Sequence, residues 1–153
     1  MQNPNHPADA NLCSVTQRTI DAPAAIRAVQ AAIRHATQIG VRVNVSVVDA
    51  AGVPAAFARM AGAPLHSIDI AIDKAYTAAS FGLPTGEWQA ALQSHSEAVR
   101  AGLVLRPRFV AFGGGLPIVE CGERIGGIGV SGGSEAQDTD IARAGLAELG
   151  LSV

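Results

Sequence analysis

The sequence is short of charge. Asp, Glu, Lys and Arg make up 16% of 153 residues, where about a quarter is usual. Eleven cations against 13 anions leave a formal net charge of -2. That balance offers no general attraction to nucleic acid or to an anionic membrane. Aromatic residues total 4%, too few for a base-stacking platform. No apolar run is long enough to cross a bilayer. The polar stretch Met1–Asn11 has neither a basic start nor an apolar core, so no signal peptide is expected there and the cytoplasm is the expected location. The two cysteines, Cys13 and Cys121, form no CxxC pair, and no metal-ligand cluster is expected. No GxGxxG follows a first strand, GxxxxGK(S/T), HExxH and CxxCH are missing, and no GxSxG elbow surrounds Ser94 or Ser96 beside His95 to support a serine hydrolase.

Apolar residues are plentiful, at 48% of the chain, and the length fits one domain. Residues 1–18 read as a loose arm and 19–153 as the domain. Ile26, Val29, Ile33 and Ala36 recur at helical spacing, which predicts a helix from Ala22 to Ile39, capped by Asp21 and ended by Gly40. Val41, Val43, Val45 and Val47 alternate with polar residues and predict a strand over Val41–Val48. The turn Asp49–Gly52 returns the chain as a second strand, Val53–Arg59. A helix over Ile68–Phe81, capped by Ser67, should pack through Ile68, Ile72, Ala75 and Ala79, and Thr85 should open a third helix carrying Trp88, Leu92 and Val99. Leu116–Glu120, with Pro117 marking an edge or a start, and Arg124–Val130 predict a second hairpin around Gly122. Ser134 and Gln137 match a capping box for a last helix, Glu135–Leu149. Tight hairpins imply antiparallel strands, so the fold class is α+β, with helices covering one sheet face.

Nine of the 17 glycines fall between Gly113 and Gly133. Bare backbone there, at Gly114, Gly129, Ser131, Gly132 and Gly133, can approach a ligand closely, and the second run feeds a helix N-terminus, which favours a carboxylate. The same glycines equally serve tight turns or subunit packing. Arg59, at a strand end, can clamp a carboxylate or simply form a surface ion pair. Lys74 sits among Ala71, Ile72, Ala75 and Ala78. Burial would lower its pKa and make it a base or nucleophile, while a snorkelling stem is the commoner arrangement. Asp49 is a turn former first and an acid–base candidate second. His66, in the loop after Arg59, is the best placed of four histidines to ligate a haem iron, though isolated histidines are mostly plain polar residues. Arg100, Arg106 and Arg108, with Phe109 and Trp88, could line a pocket for an acidic ligand or be solvated surface cations.

Several motifs then follow in one order: Val47–Gly52, Phe57–Ala63, Ser67–Ala71 leading to Lys74–Ala79, Phe81-Gly82, Phe112–Ile118, Ile125–Gly133, Gln137-Asp138 and Ala142. In these the sequence resembles the GlcG/HbpS family, also seen as the C-terminal domain of PduO-type proteins, over nearly all of Ala22–Leu149. The resemblance implies a profilin-like fold, a central antiparallel sheet flanked by helices, and homo-oligomers from dimer to octamer. It implies haem as a candidate cofactor, since some members bind it, while others accompany small-molecule catabolism. The pocket positions it carries over are Asp49, Arg59, Lys74, Gly114, Gly129, Gly132, Gly133 and Asp138. Three functions follow as expectations. The first is a small-ligand-binding protein of the HbpS type. The second is a lyase, isomerase or hydrolase of a small carboxylated metabolite, with Lys74 or Asp49 moving the proton and Asp138 orienting it. The third is an assembly partner of a catabolic enzyme. The first two place the glycine amides, Arg59 and Lys74 around one shared hollow.

Overall fold

The computed structural model describes residues 13–153. Most of the expected arm, residues 1–12, lies outside the described residues; 13–20 run without helix or strand, and Arg18 pairs there with Glu120. Helix α1 spans Ala22–Gln38, with Asp21 accepting from the Ala24 amide at 2.8 Å as its cap and proline in its first turn. Its buried face is alanine, at Ala25, Ala28, Ala32 and Ala36 around Val29, while Ile26 of the predicted stripe is exposed. The small side chains let α1 lie close against its neighbours.

Strands β1 (Asn44–Asp49) and β2 (Pro54–Arg59) form the first hairpin, and β3 (Gly115–Glu120) and β4 (Glu123–Ser131) the second. Strand β1 begins later than its alternation suggested, because Val41 and Arg42 precede the first ladder pair. The sheet is antiparallel in the order β2-β1-β4-β3, so the proline-bearing strand β3 is an edge. The Asp49 carboxylate closes the β1–β2 turn, accepting from the Ala51 and Val53 amides at 2.9 Å each.

Helix α2 (Ser67–Phe81) packs on one face of the sheet, and α1 and α5 (Glu135–Glu148) on the other. Helices on both faces correct the one-face expectation, and β4 shows why. At Gly127 and Gly129 a Cβ would lie 2.3 Å and 2.0 Å from the Ala75 and Ala71 carbonyls of α2, whereas Ile128, pointing the other way, meets Gly145 of α5. One strand therefore offers bare backbone to α2 and bulky apolar groups to α1 and α5, where Val45, Val47, Ile118, Ile128, Val130 and Ile141 make the main core. On α2 the buried face is Ala71, Lys74, Ala75 and Ala78, shifted from the predicted one; Ile68 and Ile72 are only half-buried.

Two further expectations change. His66, not Ser67, stands at the α2 N-cap, and its side chain makes no capping bond. The third helix divides into a 3₁₀ turn at Thr85–Glu87, α3 (Trp88–Leu92) and α4 (Glu97–Leu103). Residues 93–95 separate the two short helices, and Ser96 caps α4 by accepting from the Val99 amide. Residues 104–112 form no strand. The α5 capping box between Ser134 and Gln137 is present in full.

Candidate functional site

Among the described residues Lys74 is the largest side chain that is all but completely enclosed, with 1% of its surface exposed. It points from α2 past β4, where its ammonium donates to the Val130 carbonyl at 2.8 Å and to Asp138 Oδ2 at 3.0 Å. Asp138 sits in the first turn of α5, where the helix dipole favours a carboxylate; its Oδ1 accepts from the Gly133 amide at 2.8 Å. The Phe112 ring lies 5.1 Å from the ammonium. Burial pushes the Lys74 pKa down from its ordinary 10.5, against the opposing pull of Asp138 and, further off, Glu135. Gly114, at φ +119°, takes a conformation that side-chain-bearing residues avoid, and a Cβ there would sit 2.6 Å from the ammonium.

The expected hollow of free glycine amides does not form here. Glu135 accepts from the Gly113 amide at 2.6 Å, Thr85 from that of Gly115 at 2.8 Å, and Asp138 from that of Gly133. Gly129 is enclosed by ladder pairing with β1 and β3 and by α2 above it. Gly132, at φ +145°, backs onto the Arg42 carbonyl, and Ser131 is buried opposite Asn44. What the sequence brings together is a closed knot: Lys74, Asp138 and Gly113–Gly115 join α2, β3, β4 and α5. Asp49 is remote from it, at the opposite end of β4, where it pairs with Gly126.

Arg59 is also elsewhere. It ends edge strand β2, with β1 between it and β4, and its guanidinium donates to the Ala63 carbonyl at 2.7 Å. Asn44 donates to the next carbonyl, Pro64, at 3.2 Å. These two bonds brace the loop Met60–His66 from below. The loop then presents Leu65, 71% exposed, and an exposed His66. The His66 imidazole makes no hydrogen bond to a described residue, whereas His35 is bound to Asp140 at 2.7 Å. Arg59, Leu65 and His66 thus share one surface loop, a grouping that joins two of the residues proposed to bind a cofactor.

A concave site also opens at the far end of α2. Tyr76, Thr77, Ser80, Phe81, Phe109, Arg106 and their neighbours enclose about 180 Å³. Sequence reasoning reached Arg106, Arg108 and Phe109 but missed the α2 wall; the spacing of Tyr76 and Ser80, one helical turn apart, was the available signal. Arg100 does not line this cavity, and Trp88 stands behind it, edge-on to Phe81 and Phe109.

Fold and site together define an α+β domain with an antiparallel sheet between helices, a buried lysine–aspartate knot and an exposed histidine loop. Residues 20–147 match the family model "Haem degrading protein HbpS-like", and the chain belongs to that family. It is 38% identical over 122 residues to the corrinoid adenosyltransferase PduO of Salmonella typhimurium, covering 80% of this chain but only 36% of that protein. Among solved structures it is similar to a PduOC:heme complex (35% identity, TM-score 0.77, 85% of this chain and 94% of the other). It is also similar to a double mutant of HbpS from Streptomyces reticuli (36% identity, TM-score 0.82, 95% and 98% covered).

Proposed function

We propose that this chain is a haem-binding protein in which the loop from Arg59 to His66 receives the ligand. The observation that carries the reading is an exposed, uncommitted imidazole next to the exposed side chain of Leu65. Haem needs an axial donor, apolar surface for its ring and polar or cationic groups for its carboxylates. His66, Leu65 and Arg59 are of those three kinds, so the residues present fit the group. The similarity to a PduOC:heme complex supports the same ligand. When bound, the iron would supply ligand-exchange and redox chemistry. The chain's own part is to offer the donor nitrogen, hold the loop through the Arg59 and Asn44 bonds and shield one face of the ring.

His66 lies on open surface, so a second copy of the chain is the proposed cover for the other face. That role fits the low charge content and the exposed Leu65, and it makes the protein a homo-oligomer. Titration of the purified protein with haemin tests the reading. A saturable Soret shift is expected. Absence of saturation would remove it.

A further inference from the structure

We infer that the cavity at the C-terminal end of α2 is a second ligand site, built for a small carboxylate carrying one ring-sized apolar body. It is distinct from the Arg59–His66 loop: His66 and Ser80 stand at opposite ends of α2, about 20 Å apart at the rise of an α-helix.

Size comes first. The cavity measures about 180 Å³, close to the ~150 Å³ apolar cavity that accepts benzene and well below the ~300–1,000 Å³ of pockets for larger ligands. A single ring fits; a macrocycle does not. Its walls suit such a ring. Phe81 and Phe109 meet edge to face at 5.9 Å, and Tyr76 and Leu103 complete the apolar lining. Thr77 and Ser80 add hydroxyls, although Thr77 is already committed.

The charge comes second. Two arginines line the cavity, and they differ. Arg108 is spent: it donates to Asp73 at 2.9 Å, and its guanidinium lies 3.6 Å from the Tyr76 ring centre. Its backbone is left-handed at φ 66°, a conformation that a residue of this kind adopts only when its surroundings impose it. The Thr77 hydroxyl helps impose it by donating to the Arg108 carbonyl at 2.9 Å and accepting from the Val110 amide at 3.1 Å. The loop is thereby pinned to α2 before any ligand arrives. Arg106 is exposed and forms no ion pair with a described residue. A fixed apolar cup with one uncommitted guanidinium at its mouth selects an anion with an apolar tail, and the guanidinium fork matches a carboxylate.

The test has a built-in reporter. Trp88 is the chain's one tryptophan, and its ring centre lies 4.8 Å from that of Phe81 and 5.0 Å from that of Phe109. Tryptophan fluorescence is followed while the full chain is titrated with benzoate, and separately with benzyl alcohol as the neutral analogue. The expected result is a saturable change with benzoate and binding of benzyl alcohol weaker by about tenfold or more, the scale of a lost charge-assisted hydrogen bond. Arg106→Ala should weaken benzoate to a similar degree and leave benzyl alcohol unaffected. Ser80→Phe, which crowds the cup and keeps the arginine, should weaken both. Thermal melts verify that each variant is folded. The proposal is overturned if benzoate gives no saturable change, if the alcohol binds as well as the acid, or if folded Arg106→Ala binds benzoate like the parent.

Discussion

At the scale of single residues, the most consequential group is Lys74. A buried charge is tolerated only with partners, and removing one partner strands the other. Lys74→Met should therefore lower stability by about 3–5 kcal/mol near neutral pH, measured by urea unfolding. The pH dependence has a definite sign. Burial places the folded-state pKa of Lys74 below its ordinary 10.5, so between the two values the unfolded chain binds more protons. Stability must then rise with pH through that window, and below it the full cost of the buried charge is present. Relative to Lys74→Met, the parent should gain stability as pH climbs through the alkaline range; a flat difference would contradict the assigned cause. Lys74 was legible as a special residue because it interrupts an alanine-rich face. Its partner Asp138 was named beside it only through the family resemblance, because Asp138 lies 64 residues away on another helix and no local spacing encodes that pairing. The expectation that Arg59 would join Lys74 failed for the same reason: no local pattern shows that β1 stands between β2 and β4.

At the scale of elements, close approach decides the packing. Opposite outcomes are expected for two glycine-to-alanine changes. At Gly129 a Cβ would be 2.0 Å from the Ala71 carbonyl, so Gly129→Ala must push α2 off the sheet and should cost at least the ~1–3 kcal/mol of an overpacked core. Gly102 lies inside α4 with nothing within 4 Å of its Cβ position, so Gly102→Ala should stabilise by about 0.5–1 kcal/mol. Ser134→Ala removes a full capping box and should cost about 1 kcal/mol. Chemical denaturation of all three variants provides the check. The elements themselves were largely readable, since α1, both hairpins, α2 and α5 announce themselves through period and caps. Which face they bury was less so. On α1 and α2 the inward residues are alanines, with low hydrophobic contrast, so the larger Ile26 and Ile68 misdirect the eye toward the outward side. The third helix broke because Ser94-His95-Ser96 offers a stop and a fresh cap in the middle of a helical pattern.

At the scale of the whole molecule, α2 organises the functional surfaces. Its N-terminus carries His66, its middle carries the Lys74 knot, and its C-terminal half walls the aromatic cavity. The knot and the glycine contacts fix the helix to the sheet, so both ends stand on rigid support. The family was legible through its motifs. The proposed second face of the ligand site belongs to another copy, and no local pattern in one chain encodes it. Light scattering during chromatography should find a homo-oligomer, and a monomer at working concentration would remove the proposed second face. The most direct test of the central claim compares haemin binding by His66→Ala with that by His95→Ala, an exposed histidine outside the loop. The account predicts that the first loses the parent's Soret band and the second keeps it. An unchanged Soret band in folded His66→Ala would contradict it.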